Sequence, residues 1–99
     1  MNVHWTDAAQ EHLAAIHAYI AQDSPEYAER MVDRLTRRSQ QIADFPLSGR
    51  SVPECDMDQI REVIEGAYRL IYHIRADRID VLAVMHVAMN ALRSTEDGD

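Results

Sequence analysis

Five histidines, one cysteine and a strand-like run that alternates arginine with aromatic side chains are the parts of this 99-residue sequence that could do chemistry. The histidines are His4, His12, His17, His73 and His86. His12 and His17 stand five apart, the wrong interval for two ligands on one helix face, and no His-Glu-x-x-His run occurs. A metal site is therefore not expected. Cys55 is the only cysteine, which excludes an internal disulfide and a cysteine metal cluster. It lies between Glu54 and Asp56, whose charges disfavour a thiolate and make it a poor nucleophile. There is no Gly-x-Ser-x-Gly elbow, and the three glycines are isolated, so no phosphate-cradling loop is expected either. Nothing in the sequence calls for a cofactor.

The run Tyr68-Arg69-Leu70-Ile71-Tyr72-His73-Ile74-Arg75 is more informative. Alternation places Tyr68, Leu70, Tyr72 and Ile74 on one face of a strand and Arg69, His73 and Arg75 on the other. Arg61, from a neighbouring strand, is expected to join that basic face. All ten bases of the chain are arginine. Their planar, bidentate donors suit a phosphate or a carboxylate-rich partner segment. A solvated sheet face without function would give the same alternation, and the pattern alone does not choose.

Overall charge narrows the choice. Seventeen acids against ten arginines give a formal net charge of −7. A protein that binds nucleic acid through its overall field is basic, because affinity follows the phosphates it neutralises. No direct contact with DNA is expected of this chain. No apolar run approaches the roughly 20 residues that span a bilayer, and the N-terminus lacks the basic start and apolar stretch of a secretory signal. These features, with the single cysteine, point to the cytoplasm.

Two kinds of element must position these residues. Thr6 is a candidate helix N-cap, and Ala9, Leu13, Ile16 and Ile20 recur at helical spacing after it. Asp23-Ser24-Pro25-Glu26 stops that helix and starts a second, with Ser24 as cap and Pro25 in the first turn. Its apolar stripe is Ala28, Met31, Val32, Leu35, Ile42 and Phe45. The connection is so short that the helices must fold back as an antiparallel hairpin. Between Pro46 and Met57 the periodicity stops. Strands are expected at Ile60–Ile64, Tyr68–Arg75 and Ile79–His86, with Val3-His4-Trp5 as a further short one. A turn at Gly66-Ala67 sets Glu65 against Tyr68, Ile64 against Arg69 and Glu62 near Ile71, leaving Arg61 close to Tyr72. The expected architecture is α+β: an N-terminal antiparallel helical hairpin packed on a mainly antiparallel, three- to four-stranded sheet. Residues 1–93 form a single domain, followed by an acidic, flexible tail at 94–99. So small a core suggests marginal stability, or stability lent by a partner.

The sequence resembles the ParE/RelE toxin superfamily of type II toxin–antitoxin systems, and within it the ParE, or plasmid-stabilisation, branch. The matching residues are Trp5-Thr6-x-x-Ala9-x-x-x-Leu13-x-x-Ile16-x-x-Tyr19-Ile20, the restart Ser24-Pro25-x-x-Ala28, and Phe45-Pro46-x-x-Gly49-Arg50-x-Val52-Pro53-Glu54. Ile60-Arg61-Glu62, Tyr68-Arg69-Leu70-Ile71-Tyr72 and Ile79-Asp80-Val81-Leu82-x-Val84-x-His86 follow in the same order. No single piece is specific; the order and spacing together are.

The resemblance implies a cognate antitoxin that wraps the toxin in a hetero-oligomer and carries the DNA-binding function itself. It implies either of two targets. Ribonuclease relatives cut ribosome-bound message, using an arginine on the third strand, which Arg69 matches, and basic and tyrosine residues near the C-terminus. Here the stretch His86–Arg93 has neither tyrosine nor lysine. ParE-type relatives poison DNA gyrase and cause growth arrest without chemistry of their own, and that is the expected function. They commonly carry arginines after the last-strand histidine, where this chain has Ala88, Met89 and Asn90. An attenuated toxin serving only as an antitoxin-binding module is a third reading. The residues expected to contact target or antitoxin are Arg61, Arg69, Tyr72, His86 and Arg93.

Overall fold

A computed structural model describes residues 1–89. Arg93 and the 94–99 tail lie outside the described residues. Strand β1 (Asn2–Trp5) leads into helices α1 (Asp7–Ala21) and α2 (Pro25–Asp44). A single 3₁₀ turn (Pro46–Ser48) and the two-residue strand β2 (Arg50–Ser51) follow. Strands β3 (Ile60–Glu65), β4 (Tyr68–Ile74) and β5 (Arg78–His86) complete the chain.

Both helices start where the sequence says they should. The Thr6 hydroxyl accepts the amide of Ala9, and the Ser24 hydroxyl accepts that of Tyr27 with Pro25 opening the helix. Thr6 also ties the helix to the sheet, because its own amide and hydroxyl both donate to the carbonyl of Val81. The α2 stripe is buried at Ala28, Met31, Leu35 and Ile42, and Ser39 joins it, donating to Thr36 and accepting from the Trp5 indole. Phe45 does not follow the stripe. It is the C-cap residue, with non-helical backbone, and is 69% exposed.

The sheet has five strands in the order β1-β5-β4-β3-β2. The β3–β4 hairpin has the expected register: Glu65 opposite Tyr68, Ile64 opposite Arg69, Glu62 opposite Ile71 and Arg61 opposite Tyr72. Gly66 takes φ of +60°, which lets the two-residue connection close. The sheet exceeds the expected three or four strands by one, β2, since β1 is the short N-terminal strand already expected. The two-residue β2 is too short to show a period, and it pairs antiparallel with β3. At the other side β1 pairs with β5 in parallel, Asn2 to Trp5 against Arg78 to Val81. The helical hairpin supplies the crossover that a parallel neighbour requires.

A bulge sets the face of β5. Ile71 pairs with Ala83 but Tyr72 pairs with Val81, leaving Leu82 as the extra residue. Val81 and Val84 can therefore both face the helices. The core gathers Ala9, Met31, Leu35, Ile42, Val63, Leu70, Tyr72, Ile79, Val81 and Val84. Among the described residues no helix is long and apolar enough to cross a membrane.

Candidate functional site

Three arrangements stand out, and each follows from the strand register. The first is an ion cluster around Arg69, on the sheet face turned away from the helices. Register places Arg69 and Glu62 diagonally on adjacent strands of that face. Arg69 Nε donates to Glu62 Oε1 at 2.8 Å, while Nη1 and Nη2 reach Glu54 Oε2 and Oε1, both at 2.8 Å, in a bidentate pair. Nη1 also donates to the carbonyl of Met89 at 2.6 Å. Arg50 closes the cluster, its Nε donating to Glu62 Oε2 at 2.7 Å. The Arg69 and Glu62 side chains are 6% and 0% exposed. The Glu54 hydrogen bond raises Arg69 above the usual arginine range, with burial opposing.

Two arginines meet two carboxylates here, so the cluster is neutral overall. Its work is positional. Arg69 joins β4 to β3, to the loop that carries Glu54, and to the point where the chain leaves β5. The expected free basic face therefore does not exist at Arg69. Arg75 and Arg78 likewise pair with Asp80, at 3.8 and 2.9 Å. Arg61 is a second correction. It pairs with Tyr72, not with a residue of the Arg69 face, so the same register that brings Arg69 to Glu62 turns Arg61 toward the helix side.

The second arrangement centres on Tyr72, which is fully buried. Its hydroxyl donates to Pro46 O at 2.6 Å and accepts from Gly49 N at 3.0 Å. Burial raises its pKa, while the Gly49 amide and the guanidinium groups of Arg61 and Arg38 pull the other way. Arg61 donates to the carbonyls of Gly49 and Asp58 at 3.0 and 3.1 Å. Tyr72 thus holds the 3₁₀ turn against the sheet from inside and offers no surface of its own.

The third arrangement is a groove of about 920 Å³ along the second half of β5, bounded by His12, Ile16 and Tyr19 of α1 and by Tyr68, Met85 and Met89. It forms because β1 reaches only as far as Val81. Beyond that point the edge of β5 has no strand beside it among the described residues, and His12 Nδ1 accepts the Val84 amide at 3.3 Å. The lining is mostly apolar. His86 lies in this groove, edge-on to Tyr68 with ring centroids 6.0 Å apart, and its Nδ1 accepts the Ala88 amide. Cys55 lines the far wall, half-buried.

Sequence reasoning chose Arg69 but missed its partners Glu54 and Glu62. Alternation already put Glu62 on the Arg69 face, and an arginine facing a carboxylate two positions off register is a readable signal. Glu54 carries no such signal, because its loop has no period. Among the described residues no group of three or more His, Cys, Asp or Glu side chains could hold a metal ion.

A helical hairpin on one face of a mixed sheet, with its strand arginine locked internally and an apolar groove left open, has the design of a small protein-binding domain. The comparisons make this specific. Residues 3–91 match the family described as the ParE toxin of type II toxin–antitoxin systems, and the chain belongs to that family. It is 34% identical over 86 residues to a Sinorhizobium fredii protein named toxin Y4kP, covering 85% of each chain. It is 32% identical over 85 residues to toxin RelE2 of Caulobacter vibrioides, covering 85% of this chain and 92% of that one. A structure of the chromosomal ParDE system of P. aeruginosa superposes with a TM-score of 0.71 at 21% identity, over 88% of this chain and 96% of that chain, and so shares the fold.

Proposed function

We propose that this toxin arrests growth by inhibiting DNA gyrase, without catalysis of its own, and is neutralised by a cognate antitoxin. The observation that carries this reading is the state of Arg69. A ribonuclease that uses a strand arginine needs it free to meet the charge developing on a phosphate. Here Arg69 already holds both oxygens of Glu54 and one of Glu62, at 2.7–2.8 Å. Releasing it would break three charged hydrogen bonds and leave the buried Glu62 with only the largely exposed Arg50, a cost on the order of 3 kcal/mol or more. The net charge of −7 also opposes docking on ribosomal RNA.

The antitoxin belongs in the apolar groove beside β5. An extended or helical segment could cover that lining and the unpaired strand edge together. Toxin RelE2 among the relatives keeps the ribonuclease as the second reading. One pair of assays separates them. Purified toxin added to gyrase should block supercoiling at micromolar concentration and leave ribosome-bound message intact. Cleaved message with unimpaired supercoiling would move this chain to the ribonuclease branch.

A further inference from the structure

Strand β5 outruns its neighbour. β1 stops at Trp5, opposite Val81, whose carbonyl takes the Thr6 amide and hydroxyl. From Leu82 to His86 the edge faces the groove. The Val84 amide points into it, because it donates to His12 Nδ1 at 3.3 Å. Val84 and Leu70 therefore form a non-hydrogen-bonded pair of the β4–β5 ladder, and the Val84 carbonyl points the same way as its amide. His86, two residues on, shares that direction, but its carbonyl already accepts the Met89 amide at 2.9 Å. Val84 is left presenting both a donor and an acceptor. A long partner strand needs such groups at every second residue, and this edge offers one full set. Two copies of the chain need no more. In an antiparallel pairing about a two-fold axis between the two Val84 residues, each gives its amide to the other's carbonyl.

The walls of the groove suit the same axis. Ala15, Ile16 and Tyr19 of α1 stand on the helix side, and Met85 lies on the opposite face with Arg69, its pair on β4. Tyr19 is 70% and Met89 48% exposed. Ala15 is small and exposed, so α1 and its copy can approach closely. No Asp, Glu or Arg lines the groove, so two chains of net charge −7 meet there without burying a like charge. Glu11, beside His12 on α1, is exposed and stays in water near the axis. The open edge is about 16 Å long and α1 about 22 Å. A contact of that length across α1 and the sheet edge buries on the order of 1,200 Å² in total, the lower end of specific interfaces.

We infer that toxin free of antitoxin self-associates through this edge as a two-fold dimer, with the two Val84 residues paired and His12 swung off the amide it now holds. The groove is the one proposed for the antitoxin, so antitoxin and second copy exclude each other, and the dimer is a form of the released toxin. Its modest area and the repulsion between two acidic chains make it weak, forming at about 10–100 μM. Salt tightens it, because screening removes the long-range repulsion and no interfacial ion pair is lost.

The test is sedimentation equilibrium of the full chain up to about 500 μM. The expected result is a monomer–dimer equilibrium that strengthens several-fold between about 0.05 and 0.5 M NaCl. Amide hydrogen exchange locates the contact: Val84 should gain protection of about tenfold as the dimer fills. Ala15→Glu sets like charges into the contact from an exposed site, and should weaken association about tenfold or more with an unchanged melt. His12→Ala removes the competing acceptor and should strengthen it. A chain that stays monomeric to about 500 μM overturns the inference. So does a dimer that leaves Val84 exchange unchanged or survives Ala15→Glu, since its contact lies elsewhere. Neither result touches antitoxin binding or the gyrase assay, so the two proposals fail separately.

Discussion

Arg69 and Glu62 sit diagonally across the β3–β4 hairpin, and their side chains meet 2.7 Å apart on the sheet face away from the helices. Neither is open to solvent, and removing Arg69 leaves the buried Glu62 with only the largely exposed Arg50. Arg69→Met should cost about 3–5 kcal/mol, most of it from the lost charged hydrogen bonds and the excess negative charge left in the cluster. In a chain of this size that lowers the melting temperature by well over 10 °C. The triple variant Glu54→Gln/Glu62→Gln/Arg69→Met should recover much of the loss. Thermal melts followed by circular dichroism decide it. A single variant as stable as the parent would mean that the cluster contributes nothing.

Gly49 is required by close approach. Its φ of −78° would suit any residue. A Cβ there, however, would strike the Tyr72 hydroxyl and lie 2.7 Å from the carbonyl oxygen of Glu62. Gly49→Ala should therefore cost about 1–3 kcal/mol. Tyr72→Phe should cost about 1–3 kcal/mol by a different route, leaving the Gly49 amide without its acceptor. Adding Tyr72→Phe to Gly49→Ala should cost less than the sum of the two, because it removes one of the clashing atoms. A double-mutant cycle in urea measures that coupling.

Alkaline pH should destabilise the fold. Burial raises the Tyr72 phenol above its ordinary 10.0. Tyr68 is raised too, by burial first and then by the nearby Tyr27 and Tyr19. A phenol with a raised folded pKa keeps its proton longer in the native state than in the unfolded one. Its contribution to stability is whole below pH 10 and is lost as pH climbs through the folded values. Urea denaturation from pH 9 to 12 should show stability falling above about pH 10. Tyr72→Phe should make the fall shallower without abolishing it, since Tyr68 remains. Identical slopes in the two proteins would count against Tyr72 as a source.

The sequence was most readable where the period was long and the caps were local. Thr6, Ser24 and Pro25 marked both helix starts, and Gly66-Ala67 set the whole β3–β4 register. The five-stranded sheet was less readable. Two-residue β2 is defined by its partner, not by any pattern of its own, and for the expected β1 the parallel pairing with β5 had no local signal. The Leu82 bulge shifts the period of β5 midway, which alternation cannot anticipate. Face assignment failed for Arg61 even though its register was right, because pairing with Tyr72 already placed it on Tyr72's side. Glu54 was legible only as part of a motif. The loop that brings it to Arg69 is held by that contact itself, so nothing local announces it.

The standing of Arg69 can be tested in cells. If it is an internal tie, its charge matters only through Glu54 and Glu62. The variant Glu54→Gln/Glu62→Gln/Arg69→Met, once shown to be folded by its melt, should still arrest growth when induced without antitoxin. It should inhibit purified gyrase within about an order of magnitude of the parent. A strand arginine that stabilised phosphate cleavage would behave differently. Its loss would remove a cation made for the transition state, at a cost of about a hundredfold or more in rate, however well the fold was repaired. A folded triple variant that no longer arrests growth, while binding antitoxin as tightly as the parent, would show that Arg69 acts on the target directly.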